Sequence, residues 1–370
     1  MQASILEAKM PTFRSDLRTL RPYVAGKPIE EITREFGIDG IIKLASNEYP
    51  VSPVPAAIEA IAAAAVEVNR YPDNSYHDLT SAIAEMYETT SEHVWVGAGS
   101  SDILNCTARA TGGTDTSVVY ATPSFVLYRI VAVLAGSTYV EVPLTDDWVH
   151  DLTAMGQAVR DDTTMIIVCN PNNPTGTYVS DTELRAFVDS IDESILVVID
   201  EAYAEFASAP DFSTCVDLAL SRPNVIVSRT FSKIYGLAGL RVGYALGMPE
   251  TLRELRKAQP PFIVNVAAVA GAIAAIADQH EIEQRRTTNA AQRKVLTDAL
   301  DARGIRYAAS QTNFVYLDLD VDAPGLGEAL LHRGVIVRTL GDHIRITVGS
   351  AQENLRCVAA LDEALREISP

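Results

Sequence analysis

The chain has 370 residues, enough for one large domain or for a large domain and a small one. With 48% hydrophobic and 21% charged residues, it has the composition of an ordinary globular protein. Its formal net charge of -18 excludes the basic surface on which nucleic-acid binders depend, so we expect no nucleic-acid partner.

Short β-branched runs alternate with helical patterns through the middle of the chain. The helical patterns include residues 56–65 and 181–191. The runs that predict buried strands lie at 94–96, 117–121, 139–143, 165–169, 195–199, 225–228 and 242–246. This alternation predicts an α/β fold in which helices cover both faces of one sheet.

The pattern changes at about residue 264, where a long helical region begins and runs to roughly residue 304. Shorter strands and a terminal helix follow, with the strands at 313–317, 335–338 and 344–348. We expect these elements to form a small α+β domain. The first 45 residues are interrupted by proline and glycine and look like an arm. The predicted division is an arm over 1–45, a large domain over 46–262 and a small domain over 263–370.

The four cysteines, Cys106, Cys169, Cys215 and Cys357, lie far apart and form no C-x-x-C pair. This spacing argues against a metal site and against a disulfide framework, and it favours a reducing compartment. The first residues lack the charged-then-apolar pattern of a secretory signal, and the longest apolar stretches are too short to span a membrane. We therefore expect a cytoplasmic protein with no metal and no membrane partner.

One lysine has the neighbours that pyridoxal 5'-phosphate requires. Lys233 follows Ser232 and precedes Arg241, while Asp200 and Tyr203 lie upstream in an Asp-Glu-Ala-Tyr run. The lysine supplies the amine for a Schiff base, and the serine and arginine can take the phosphate. The acid can face the pyridine nitrogen, and the phenol can face the ring oxygen. The sequence therefore predicts a cofactor site.

Each of these residues also has a purely structural interpretation. Asp200 follows a predicted strand, where it could cap the next turn, and Tyr203 could belong to the core. Most lysines are solvated surface charges. Lys233, however, is flanked by Phe231 and Ile234, which suits a buried amine that loses its charge easily. Because carboxyl ends of strands carry ligands in α/β sheets, we favour the cofactor interpretation.

A Gly-Ala-Gly run before Ser100 and Ser101 predicts a phosphate cup. Glycines allow close backbone approach, and amides at a helix start point at an anion. The two serines could instead be ordinary helix caps. A nicotinamide-binding loop is a weaker interpretation, since a third glycine is missing: position 102 is Asp.

Two further residues complete the candidate cofactor site. Asn173 lies in the run Asn-Pro-Asn-Asn-Pro-Thr-Gly, which is typical of a turn but could hold an amide donor opposite Tyr203. Phe125 could stack on the cofactor ring, although a lone aromatic residue belongs more often to the core.

Together these runs resemble the histidinol-phosphate aminotransferase family of fold-type I pyridoxal-phosphate enzymes. The resemblance spans nearly the whole chain and includes Lys-Leu-Ala-Ser-Asn-Glu over 43–48, Asn-Arg-Tyr-Pro-Asp over 69–73 and Ile-Arg-Ile-Thr-Val-Gly over 344–349. It implies a large domain with a mostly parallel seven-stranded sheet flanked by helices, together with a small α+β domain. It also implies transfer of an amino group between L-histidinol phosphate and 2-oxoglutarate or glutamate, as in histidine biosynthesis.

The resemblance assigns roles to individual residues. It gives Lys233, Asp200 and Tyr203 catalytic roles and adds Asn173, Phe125, Ser100, Ser101, Ser232 and Arg241 as cofactor ligands. Tyr71 matches a tyrosine that reaches the cofactor phosphate of the other subunit, which implies a homodimer with shared active sites. Arg345 and Arg338 match arginines that meet the anionic groups of the substrate. Tyr23 and Asn47 match arm residues that close over it.

The chain also departs from the family pattern. Ala98, Ser101 and Tyr49 replace residues that the family often has, and runs near residues 69–74 and 261–265 also look like those of aromatic amino acid aminotransferases. A phenylalanine or tyrosine aminotransferase is therefore the main alternative, and a decarboxylating lyase stays open. A non-catalytic cofactor-binding regulator is more remote, because no DNA-binding module is present in the sequence.

Overall fold

The computed structural model describes residues 11–22, 29–37, 40–319 and 321–368. The strands are β1 (Ile42–Lys43), β2 (Val94–Gly97), β3 (Ser117–Thr122), β4 (Thr138–Pro143), β5 (Thr163–Cys169), β6 (Leu196–Asp200), β7 (Val225–Thr230), β8 (Gly243–Gly247), β9 (Arg306–Tyr307), β10 (Phe314–Asp318), β11 (Val335–Ile336), β12 (Arg338–Leu340) and β13 (His343–Thr347).

The α-helices are α1 (Ile29–Phe36), α2 (Pro55–Ala64), α3 (His77–Met86), α4 (Ser100–Thr111), α5 (Leu127–Ala135), α6 (Leu152–Gln157), α7 (Asp181–Ser190), α8 (Val216–Ser221), α9 (Pro249–Leu255), α10 (Val266–Ala277), α11 (Gln279–Asp301), α12 (Ala323–His332) and α13 (Ala351–Ile368). Short 3-10 helices lie at Ser15–Thr19, Ala65–Glu67, Ser91–His93, Ala204–Phe206, Ala238–Leu240 and Arg256–Ala258. In the described part of the chain, no helix is both long and apolar enough to cross a membrane.

The large sheet has seven strands in the order β2-β8-β7-β6-β5-β3-β4. Strand β8 runs antiparallel to both of its neighbours, and the other strand pairs of this sheet are parallel. The two faces bury different side chains of the same strand: Val197 and Ile199 join one core, while Leu196 and Val198 join the other. Burial on both faces explains why β6 is a continuous apolar run. The predicted mostly parallel seven-stranded sheet is confirmed.

A second, antiparallel sheet has four strands in the order β12-β13-β10-β9. One of its faces packs on α12 and α13 around Leu317, Ile344 and Leu361. Strand β1 pairs separately with β11 in the parallel direction, so residues near the start of the chain join elements near its end.

Two predicted elements differ from the structure. The single strand expected over 335–338 is divided, because β11 pairs with β1 while β12 pairs with β13 on the other side of Val337. The helical region expected from residue 264 is broken at Asp278, which has φ -104° and ψ 62°. Its side chain accepts a hydrogen bond from the Glu281 N–H and so begins a new helix there.

Candidate active site

A cleft of about 540 Å³ lies at the carboxyl ends of the parallel strands, between the two sheets. Its volume is typical of a small-molecule site. Most of the residues predicted for the site line this cleft: Asn47, Ser100, Ser101, Phe125, Asn173, Asp200, Tyr203, Ser232, Lys233, Arg241, Arg338 and Arg345. Tyr71 does not line it and is 82% exposed, stacked on Phe262 with ring centroids 4.7 Å apart. Tyr23 lies outside the described residues.

Lys233 follows β7 and points into the cleft as a partly buried amine. Its Nζ donates to the Ser46 carbonyl oxygen at 3.4 Å and lies 5.3 Å from the centroid of the Tyr203 ring. Burial, and then the positive charge of Arg345, lower the pKa of Lys233 to about 7. The amine is therefore partly neutral, and hence nucleophilic, near neutral pH.

Asp200 is the last residue of β6 and is 2% exposed. Tyr128 donates to its Oδ2 at 2.8 Å, and the Ala202 N–H donates to its Oδ1 at 3.3 Å. Burial raises the pKa of Asp200 to about 6, although these two hydrogen bonds and the Lys233 charge act in the opposite direction. The pKa of each group is shifted in the direction that favours its neutral form, so burial outweighs the attraction between Asp200 and Lys233.

The end of the cleft near Ser100 and Arg241 carries groups that can bind an anion. Gly99, with φ +82°, precedes α4, and Ser100 and Ser101 at the start of this helix line the cleft. The start of a helix favours a bound anion. A Cβ on Gly99 would lie 2.7 Å from Nη2 of Arg241, so glycine lets this guanidinium approach the backbone. Nη1 of Arg241 donates to Ser232 Oγ at 3.3 Å. The pattern predicted that Ser100 or Ser101 could cap the helix; this is wrong, because α4 begins at Ser100 and the cap position is Gly99.

A network of polar side chains joins the small sheet to the rest of the cleft. Nη1 of Arg345 donates to Asn173 Oδ1 at 2.6 Å, and its Nη2 donates to the Ala45 carbonyl at 2.7 Å. Nδ2 of Asn47 donates to the Tyr203 hydroxyl at 2.9 Å. Since Asn173 accepts through Oδ1, its amide nitrogen is the atom that can donate to a ligand.

Two arginines that line the cleft lie side by side on the small sheet. Arg338 on β12 is directly opposite Arg345 on β13 in the antiparallel register, so their side chains share one face of the small sheet. Like charges in this position repel each other. An anion held between the two guanidinium groups would offset that repulsion.

Comparison with known proteins agrees with this geometry. The sequence profile of the family described as aminotransferase class I and II matches residues 39–361. The chain belongs to this family. Its fold-type I architecture, expected from the resemblance, is likewise confirmed by the solved structures.

Individual relatives of this aminotransferase are similar over almost their whole length. A histidinol-phosphate aminotransferase of Moorella thermoacetica is 38% identical over 97% of this chain and 94% of that protein. An aromatic amino acid aminotransferase of Thermobifida fusca is 42% identical over 94% of this chain and 96% of that protein. The histidinol-phosphate aminotransferase of Sinorhizobium meliloti, solved in complex with pyridoxal-5'-phosphate, superimposes with a TM-score of 0.91 at 30% identity, covering 98% of this chain and all of that one.

Several residues of this aminotransferase's cleft were not predicted from the sequence. Arg21, Glu48 and Cys169 line it, and Tyr128 supports Asp200 from behind. No pattern in the sequence marks Tyr128, because its role depends on how α5 packs against the end of β6. No pattern in the sequence marks Arg21, which reaches the cleft from the first described segment.

Proposed function

We propose that this aminotransferase transfers an amino group between L-histidinol phosphate and 2-oxoglutarate in a ping-pong reaction. The observation that carries the proposal is the Arg338–Arg345 pair in a cleft that Lys233 and Asp200 also line. Relatives named histidinol-phosphate aminotransferases at about 40% identity support the same substrate.

The residues of the cleft fit pyridoxal 5'-phosphate. Lys233 offers an amine with a lowered pKa, Asp200 offers a buried carboxylate, and Arg241 with the start of α4 offers an anion site. When bound, this cofactor supplies an electron-withdrawing ring that stabilises negative charge on the substrate Cα. Asp200 would pair with the ring nitrogen, and Phe125 would stack on the ring.

Lys233 has two tasks in this proposal. Its Nζ would hold the cofactor. When free, the same Nζ would lie within reach of the substrate Cα and could carry its proton. A pKa of about 7 suits this task, because an amine that titrates near the working pH can both accept and return a proton.

The two arginines give the cleft its range of substrates. One half-reaction must bind a phosphate monoester and the other a dicarboxylate. A planar guanidinium pairs bidentately with either group, so Arg338 and Arg345 can serve both halves of the reaction. Asn47 hydrogen bonds to Tyr203 and belongs to the same substrate wall.

We further propose that the enzyme is a homodimer in which Tyr71 reaches the cofactor phosphate of the partner. Val66, Val68, Tyr71 and Phe262 are exposed apolar side chains, and Tyr71 stacks on Phe262. Sedimentation should give about twice the 40.0 kDa of one chain. A monomer would contradict the shared site.

The division into arm, large domain and small domain (1–45, 46–262, 263–370) stays part of the proposal.

A second candidate is an aromatic amino acid aminotransferase, which the 42% identical relative from Thermobifida fusca favours. It uses the same cofactor chemistry with phenylalanine or tyrosine as the donor. The two donors differ both in the anionic group next to Cα, a phosphate ester or a carboxylate, and in the side-chain ring. Replacing Arg338, which we propose to meet the phosphate, should therefore distinguish the two candidates.

The test is a donor screen in which cofactor absorbance follows one half-reaction with histidinol phosphate or with phenylalanine. Replacing Arg338 by Met should lower kcat/KM for histidinol phosphate about 10- to 100-fold, the loss of one charge-assisted contact, and for phenylalanine less than about threefold. Arg286→Met, which changes an exposed arginine paired with Glu283 on α11, is the matched control. Equal losses with both donors, or a large wild-type preference for phenylalanine, would contradict the proposal.

A further inference from the structure

Tyr128 is a buried residue behind the cleft that does not itself line it. Its hydroxyl donates to Asp200 Oδ2 at 2.8 Å. Among the described residues, no other side chain donates to this carboxylate, and the remaining hydrogen bond comes from the Ala202 amide. Tyr128 therefore sets the orientation of the carboxylate.

The ring of Tyr128 meets a second residue of the cofactor site. Its edge packs on Phe125, with centroids 5.8 Å apart and planes at 86°, and Tyr120 supports it from another side at 5.9 Å. Such edge-to-face pairs have a preferred geometry, so the position of one ring restrains the other. One side chain thus contacts both Asp200 and Phe125.

The helix that carries Tyr128 is fixed at its far end. Arg14 donates to the carbonyl oxygens of Val133 and Leu134 at 2.6 and 3.0 Å, at the carboxyl terminus of α5. These contacts add donors at the end of the helix, where the Val133 carbonyl also accepts from the Gly136 N–H, and place a cation where the helix dipole favours one. The first described segment of the chain therefore anchors the helix from which Tyr128 acts.

We propose that Tyr128 is a positioning residue for the cofactor ring: its hydroxyl keeps the Asp200 carboxylate aimed and charged, and its ring edge fixes the plane of Phe125. The inference rests on the proposed function for the role of Asp200. It adds a residue that acts on the cofactor without touching it.

The groups that face Asp200 explain why the hydroxyl matters. They are Tyr128 from α5, Cys169 from β5, Lys233 after β7, and Glu201 and Tyr203 from the same run of chain. Burial raises the pKa of Asp200, and the Tyr128 hydrogen bond is the largest influence that lowers it. Without the hydroxyl, Asp200 becomes protonated at a higher pH, and a neutral acid no longer attracts a positive ring nitrogen.

The experiment measures binding of pyridoxal 5'-phosphate to the apoenzyme between pH 5.5 and 8.5. Tyr128→Phe should bind about 10- to 100-fold more weakly at pH 7, because a less oriented and less charged Asp200 would lose its charge-assisted bond to the ring nitrogen. The pH below which affinity falls should rise by about one unit, which a merely structural role would not change. The matched control is Tyr120→Phe, whose hydroxyl donates to Glu141 at 2.9 Å and does not touch Asp200. It should keep the wild-type affinity within about threefold, with the same pH midpoint.

A double-mutant cycle shows whether Tyr128 acts through Asp200. In an Asp200→Asn background, adding Tyr128→Phe should change the affinity less than about threefold, because no ionisable carboxyl remains. A full additional loss in that background, or an unchanged affinity and midpoint in Tyr128→Phe alone, would overturn the inference. If Asp200→Asn itself binds as well as the wild type, the proposed function of Asp200 fails, and the inference fails with it.

Circular dichroism controls for folding in each variant. Tyr128→His offers an N–H donor on a smaller ring and provides a second test if Tyr128→Phe does not fold. It should retain more affinity than Asp200→Asn; because an imidazole itself titrates between pH 5.5 and 8.5, the affinities are compared at pH 8.5. A histidine variant that binds as weakly as Asp200→Asn at every pH would count against the positioning role.

Discussion

The lowered pKa of Lys233 predicts how the apoenzyme reacts with an amine reagent. With a pKa of about 7, roughly three quarters of Lys233 is neutral at pH 7.5, compared with about one in a thousand for a lysine of pKa 10.5. Trace reductive methylation with formaldehyde and cyanoborohydride, followed by peptide mass spectrometry, measures the reactive fraction at each pH. Lys233 should label with a midpoint near pH 7. Lys294, whose side chain is 72% exposed, provides the internal comparison.

The cause of the shift can be tested in the same assay. After burial, the positive charge of Arg345 is the largest influence that lowers the pKa of Lys233. Removing this cation favours the protonated amine, so Arg345→Met should move the labelling midpoint upward. A wild-type midpoint near pH 10 would refute the argument from burial. A midpoint that stays constant or falls in Arg345→Met would refute the argument from charge.

Two further predictions concern stability and the anion site. Arg229 is buried between two carboxylates, so Arg229→Met should lower the free energy of unfolding in urea by about 3–5 kcal/mol. Lys294→Met on the surface should change it by less than about 1 kcal/mol. Equal effects of the two substitutions would contradict the burial argument. Gly99→Ala should weaken cofactor binding about tenfold or more, because its Cβ would meet Arg241 at 2.7 Å and its φ is +82°. Gly239→Ala, with nothing within 4 Å, is its control; equal losses would contradict the close approach.

The large sheet could be predicted because its strands are buried on both faces. Runs such as 165–169 are continuously apolar, and their lengths and flanking turns distinguish them from helices. The strand at 335–338 was predicted only in part, because its two halves pair with different strands. The hydrophobic pattern of a strand indicates which of its residues are buried, but it does not indicate which other strand pairs with it.

The sequence predicts the reacting groups of the site more fully than the residues that hold those groups in place. Lys233 and Asp200 follow strands within recognisable runs, so chemistry and spacing identify them together. Tyr128 and Arg21 carry no such mark, since their roles depend on how a helix and an early segment pack against distant strands. Contacts between residues far apart in sequence become visible only in the folded chain.

The most direct test of the central claim is to identify the residue that holds the cofactor. Borohydride reduction of the enzyme with bound pyridoxal 5'-phosphate, followed by digestion and mass mapping, fixes the cofactor to the side chain that carries it. We predict a pyridoxyl group on the peptide that contains Lys233, and its disappearance in Lys233→Ala. A modified peptide from another lysine, or normal transamination by Lys233→Ala, would contradict the account.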